Sequence, residues 1–198
     1  ENYIYNIVPQ IATPSIPSNT NTSNYIKNVT YFDGLGRAKQ SIAIRQSASQ
    51  KDIVTHIEYN DFGQVEKEYL PYVPDATGDG MIKLSALSGT KDYYKTATYE
   101  NTANPYSQKT IEASPLSRIL EQAAPGNDWK ISTTFLSKGY SDGHTIKFEY
   151  DTNTANGVKS YNVTTIFASN IYTPTLQGGT ANYNVGELSK TITKDENW

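Results

Sequence analysis

Apolar and polar positions alternate with a period of two through much of the chain between Tyr25 and Tyr72. Ile53, Thr55, Ile57 and Tyr59 interleave with Val54, His56 and Glu58, and beyond a short polar corner Val65, Lys67 and Tyr69 continue the first set. That period marks half-buried β-strands, since successive side chains of a strand point to opposite faces. Lys67 on the apolar set, and Glu58 opposite Glu66, imply that one side of this hairpin is solvated. Before it, Tyr3-Ile4-Tyr5 and Ile7-Val8 predict a short strand, followed by an extended connection through Pro9, Pro14, Pro17 and a Ser/Asn/Thr tract. Pro71 and Pro74 end the second hairpin, because proline cannot donate to a ladder.

Met81, Leu84, Leu87 and Tyr94 share a helical face, so one helix is predicted within 81–95, interrupted by Gly89. Leu116 to Ala124, between Pro115 and Pro125-Gly126, reads as a second short helical piece. After Trp129 strands are predicted at 131–136, 145–150, 158–168 and 188–193, joined by turn-rich stretches at 139–143, 151–157 and 177–186. The expected fold is mainly β: antiparallel hairpins forming a curved sheet, a sandwich or a partial barrel, with one or two short helices. Four stretches are expected along one compact or bilobed unit: 1–24, 25–73 with two hairpins, 74–129, and 130–198.

The most informative local feature is Phe32-Asp33-Gly34-Leu35-Gly36-Arg37, with a looser copy at Tyr59-Asn60-Asp61-Phe62-Gly63-Gln64-Val65. An Asp or Asn opening a turn bonds nearby backbone N–H groups, and a Gly three residues on takes the positive φ that other residues resist. A type I turn with a bulge glycine follows. In such a hairpin Asp33 faces Arg37, Phe32 faces Ala38, and Tyr59 faces Val65.

Tyr-Asp-x-x-Gly-Arg followed by an aliphatic residue resembles the signature of RHS or YD repeats. Residues 31–38 carry it best, with Phe32 in the Tyr position. Ala113-Ser114-Pro115-Leu116-Ser117-Arg118-Ile119 keeps the Arg and the aliphatic residue. Phe148-Glu149-Tyr150-Asp151 has the entry but Thr154 where Gly belongs, and Tyr183-Asn184-Val185-Gly186-Glu187-Leu188 is one residue short. The resemblance implies a degenerate amino-terminal region leading into an RHS core, in a bacterial secreted or cell-surface protein. It also implies a β-hairpin shell that encloses or presents a C-terminal effector or adhesive domain, with the rest of the parent chain as the main partner. A strand edge left without its next neighbour predicts dimers through that edge.

Composition narrows the function classes. Across 198 residues, sixteen Tyr against five Phe, two Trp and one Met suit half-buried sheet faces better than a dry helical core. A net charge of −3 leaves no basic stripe for phosphates, which argues against nucleic acid, and membrane surfaces are disfavoured on the same ground. No apolar run is long enough for a transmembrane helix. The absence of cysteine excludes disulfides, a thiol nucleophile and cysteine metal sites.

Candidate chemistry is sparse. Asp33 and Arg37 could be an acid and an electrophile in a cleft, but a turn cap with a local ion pair explains their spacing. Gly34-Leu35-Gly36 lacks the later glycine of a dinucleotide loop. His56 lies in an alternating strand and His144 follows a turn, so both are expected to be packing or surface residues. Asp75, Thr77 and Asp79 resemble the opening of a calcium loop, but Ala86 stands where a bidentate Glu is required, and a polar turn is the stronger reading. No cofactor is implied. The residues expected to matter are architectural: Asp33, Gly36, Asn60 and Gly63 setting turns, Phe32 and Tyr59 anchoring strand ends, and Arg37 tying the first hairpin. A carbohydrate- or protein-binding adhesion module is the alternative, with coplanar exposed aromatic rings as its mark, and a glycoside hydrolase is a remote third.

Overall fold

The structure is a computed structural model that describes residues 2–15, 24–76, 78–131 and 144–197. The described residues are mainly antiparallel β with one α-helix, and they form no closed barrel. It divides into two compact units, Glu1–Thr145 and Ile146–Trp198.

In the first unit β1 (Asn2–Pro9), β2 (Tyr25–Phe32), β3 (Ala38–Ala43) and β4 (Ile53–His56) form one antiparallel sheet in sequence order. Val29 stands opposite Ile42, and Ile42 opposite Val54, so one rung of β-branched side chains crosses three strands on a single face. Tyr72, Ile44 and Ala86 close over that rung, and together these residues are the buried core. Burying one such aliphatic side chain contributes roughly 1.5–3 kcal/mol, and the cluster carries much of this unit's stability.

The cover is α1 (Ala86–Tyr94) and the loop before it. The helix falls within the 81–95 stretch where one was expected. Gly89 does not interrupt it: a Cβ there would meet the Tyr72 ring at 2.8–2.9 Å, so the glycine is what lets the helix backbone lie on that ring. The loop is pinned from the sheet side. The fully buried Asp52 carboxylate accepts hydrogen bonds from the backbone N–H groups of Arg45, Asp79 and Gly80. Gln40 exchanges two bonds with the backbone of Lys83, and the Tyr31 hydroxyl donates to the Gly80 carbonyl.

β5 (Lys67–Tyr69), β6 (Tyr106–Ile111) and β7 (Ile119–Ala123) run antiparallel in another sheet. Two expectations change here. The segment 53–72 is not a continuous ladder: β4 belongs to the first sheet and β5 to the second, and between the two arms the ladder is reduced to the bridges Val54–Tyr72 and Ile57–Glu68. The segment 116–124 is a corner and a strand, not a helix, because β6 offers Ile119 to Ala123 a ladder. Nor do Glu58 and Glu66 clash. Glu58 accepts from the Tyr69 hydroxyl and Glu66 from the Asn60 amide, while the Lys67 ammonium lies over the Tyr106 ring.

In the second unit β8 (Ile146–Thr152) pairs with β11 (Ser189–Lys194), and between them in sequence rises a long ribbon of β9 (Lys159–Ala168) and β10 (Ile171–Asn182). β10 runs into a stretch expected to be a turn-rich join. The strand expected at 131–136 lies, apart from Ile131, outside the described residues.

Candidate functional site

The sequence-selected residues meet at a set of corners with one hydrogen-bond plan. At the first, between β2 and β3, the Asp33 N–H donates to the Arg37 carbonyl (2.8 Å) and the Gly36 N–H to the Asp33 carbonyl (3.1 Å). Asp33 Oδ1 accepts from the N–H groups of Leu35 and Arg37, both at 2.9 Å, and Gly36 sits at φ +78°. At the second, the Asn60 N–H donates to the Gln64 carbonyl and the Gly63 N–H to the Asn60 carbonyl, both at 2.9 Å. Asn60 Oδ1 accepts from Phe62 (3.0 Å) and Gln64 (2.9 Å), with Gly63 at φ +76°. Asn replaces Asp without changing the geometry, because the plan uses only an acceptor oxygen at that place.

The third corner, between β6 and β7, solves the same problem with a longer loop. The Glu112 N–H donates to the Arg118 carbonyl, Ser114 accepts through its hydroxyl from the Leu116 N–H and through its carbonyl from the Ser117 N–H, and Ser117 takes the positive φ of +49°. Arg118 grips Glu112 with two bonds at 2.8 and 2.9 Å. That guanidinium, above all, holds the Glu112 carboxyl down at about 2. Both ladders break register at the same point. Phe32 pairs with Ala38 and Ile111 with Ile119, each after a one-residue bulge. The corner at 113–119 thus shares the bulge and the Arg–carboxylate pair of the first, with the acidic role displaced to Glu112, a residue that sequence reasoning passed over.

In the second unit a fourth corner is split. The Asn153 N–H donates to the Leu188 carbonyl, Asn153 Oδ1 accepts from the Leu188 N–H, and the Gly186 N–H donates to the Asn153 carbonyl, with Gly186 at φ +79°. Residues 154–185, including the β9–β10 ribbon, are inserted into the turn. The echo at 183–188 supplies one half of this corner, whereas the echo at 148–151 lies within β8, where Asp151 pairs with Lys190, and Asn153, two residues on, opens the corner in place of Asp151.

In the first unit the corners touch sideways. Arg37 binds Asp33 Oδ2 at 2.8 Å through Nε and Nη2, and its guanidinium carbon lies 4.4 Å from the centre of the Tyr59 ring. The Tyr59 hydroxyl donates to the Ala38 carbonyl. Gln64 of the second corner donates to the Ser117 hydroxyl of the third. Phe32, Asp33, Gly36, Arg37, Tyr59, Asn60 and Gly63 are thus brought together, in a row of clasped turns. Each corner also presents a large apolar side chain immediately before its positive-φ residue: Leu35, Phe62, Leu116 and Val185, at 66–87% exposure.

The remaining candidates have other duties. Asp75 pairs with Lys51 at 3.2 Å, and Asp79 accepts from Lys83 (2.6 Å) and the Met81 N–H, which lower its pKa. Thr77 lies outside the described residues, among which no cluster of three potential metal ligands occurs. His56 packs edge-on to the Tyr69 ring at 5.4 Å, and burial depresses its pKa. His144 lies 5.6 Å from Trp129, ring to ring. His56, Glu58 and Tyr69 form a chain of polar groups, but Tyr69 is buried and its hydroxyl pKa is raised by burial and by Glu58, so it neither meets a substrate nor ionises readily. A cleft of about 650 Å3 lies against Tyr72, Tyr93 and Tyr99 with Asp75 and Asp92 at its wall. Its rings tilt by 33° between Tyr93 and Tyr99 and by 59° between Tyr72 and Tyr93, so they do not make a coplanar platform.

Compared with known proteins, residues 5–142 match the model of a family described as a domain of unknown function, DUF6443. No curated protein and no solved structure matches the chain.

Proposed function

We propose, from the premise that this chain belongs to the DUF6443 family, that it is a non-enzymatic structural segment of a large exported bacterial protein of RHS type. Its work is geometric: acid-to-glycine corners reverse the backbone, and neighbouring corners clasp so that hairpins stack side by side and begin or cap a β shell. The lateral contacts carry this reading, namely Arg37 on Tyr59 and Gln64 on Ser117. A turn needed only for its own reversal has no use for a side chain spanning to the next one. The shell's cargo would be a C-terminal effector or adhesive domain, and its setting the cell surface or the medium.

The test is a series in which consensus Tyr-Asp-x-x-Gly-Arg hairpins are appended one, two and three at a time. Stacking predicts one cooperative transition whose denaturant m-value grows with each hairpin, since m follows the surface exposed on unfolding. A separate transition for the added hairpins would overturn the reading. A second reading, a glycan-binding module, rests on the cleft against Tyr72, Tyr93 and Tyr99, although its tilted rings lack the coplanar platform that would mark it. Binding on a glycan array that is lost in Tyr99→Ala would establish it, and an array without hits would remove it.

A further inference from the structure

The β9–β10 ribbon has two unlike faces. Directly opposed residues share a face and the faces alternate, so the pairs Tyr161–Gly178, Val163–Leu176, Thr165–Pro174 and Phe167–Tyr172 lie on one side. The pairs Asn162–Gln177, Thr164–Thr175, Ile166–Thr173 and Ala168–Ile171 lie on the other, which is polar but for Ile166 and the Ala168–Ile171 pair at the tip. The first face is an apolar strip of Tyr161, Val163, Phe167, Tyr172, Pro174 and Leu176. Five of these, all but Pro174, are 56–71% exposed. From residue 159 to 182 the only charge is Lys159. A two-stranded ribbon is at best marginally stable alone in water, and a contiguous apolar face of this kind marks an interaction surface.

We propose that this face binds the same face of a second copy of the chain, giving a two-layer, four-stranded dimer. Three features select that occupant. The first is area. A fully covered aromatic side chain buries roughly 150–250 Å2. With more than half of each ring exposed, three rings and three aliphatic side chains offer roughly 500–600 Å2 per copy. Two copies then reach about 1,000 Å2, which a specific interface needs.

The second is charge. The strip has no charged residue of its own, so like meets like without repulsion, and it offers neither an ionic pattern to select a different protein nor a cluster of cations for anionic lipid. The third is relief. At the base of the ribbon Gly178 and Gly179 adopt φ +111° and +80°, and the Tyr161 ring lies across Gly179 so closely that a Cβ there would be 2.9 Å from it. This rung is low. At the tip Phe167 and Tyr172 stack with centroids 4.5 Å apart, and this rung is tall. A two-fold axis level with Thr164 and Thr175, midway between the Tyr161–Gly178 and Phe167–Tyr172 rungs, sets each tall rung over the other copy's low one, as a self-complementary surface requires. Pro174 blunts the β10 edge of the ribbon as a template for strand addition, which favours the face over that edge as the docking surface.

The inference is independent of the proposed function, and its test is separate. Sedimentation velocity and light scattering of the whole chain from 1 to 200 μM should show a monomer–dimer equilibrium. Leu176→Glu, and separately Val163→Glu, should weaken it at least tenfold with the circular dichroism spectrum unchanged. Thr175→Glu on the opposite face should leave it intact. A mixture of Val163→Cys and Thr165→Cys chains should form an intermolecular disulfide on mild oxidation, and a mixture of Thr164→Cys and Thr165→Cys chains should not. A monomer at every concentration would overturn the proposal. So would a dimer indifferent to both glutamate variants, or a monomer that floats with phosphatidylcholine vesicles.

Discussion

Gly36 and Gly34 stand two residues apart in one corner and make different demands. Neither would bring a Cβ against a neighbour, but only Gly36 holds a positive φ. Gly36→Val should therefore cost on the order of 1–3 kcal/mol from backbone strain alone. Gly34→Ala should stay within about 0.5 kcal/mol. Urea denaturation of both variants checks this, and an unchanged midpoint for Gly36→Val would show that the corner does not need its left-handed residue. His56 makes a prediction of another kind. Burial holds its folded pKa below the unfolded value near 6.5, so the unfolded chain binds more protons in the interval between the two. Stability from this residue is complete above the unfolded pKa and is lost as pH falls through that interval. The midpoint of the wild type should drop between pH 7 and 5 more steeply than that of His56→Gln, and parallel curves would mean that His56 is as hydrated in the fold as out of it.

Among elements, the helix and its loop show how much of a surface can be decided by what lies beneath it. Asp52 serves three backbone donors of two segments, so Asp52→Ala should strand buried N–H groups and destabilise by about 2–4 kcal/mol, measured by calorimetric or denaturant unfolding. A loss under 1 kcal/mol would show that water replaces the carboxylate. Gly89→Ala, favourable in an isolated helix, should instead cost about 1–3 kcal/mol here by pressing a methyl into the Tyr72 ring. Between corners, a double-mutant cycle of Arg37→Ala and Tyr59→Leu should return a coupling of about 0.5–1 kcal/mol, the worth of an exposed cation–π contact. Strict additivity would make the clasp an accident of proximity.

For the molecule as a whole, protection should follow the core. The Ile42 and Val54 amides lie in the rung shared by three strands and should exchange slowest. Those of β1, an exposed edge strand, should exchange far sooner. Amides in β9 and β10 should become slower as protein concentration rises, because the dimer covers their strip. Hydrogen exchange resolved by residue at two concentrations measures all three, and uniform protection across the first sheet would deny the ranking.

What the residues alone determined is what depends on near neighbours. Period-two alternation marked strands within 53–69, and Asp33 to Arg37 and Asn60 to Gln64 specified corners, because the acceptor oxygen, the left-handed glycine and the N–H groups they serve all lie within five residues. Tertiary structure decided whatever needed a distant partner. Leu116 to Ala124 is equally readable as helix or strand until β6 supplies a ladder. Gly89 reads as a helix breaker until Tyr72 lies under it, and Asp52 is one acid among many until residues 78–80 fold over it. The arms of 53–72 read as one hairpin, yet their ladders run on into two sheets, because β3 and β6, the strands that extend them, come from distant parts of the chain. The fourth corner was illegible for the same reason: its halves, Asn153 and Gly186, are neighbours only after the chain between them has folded into a ribbon of its own.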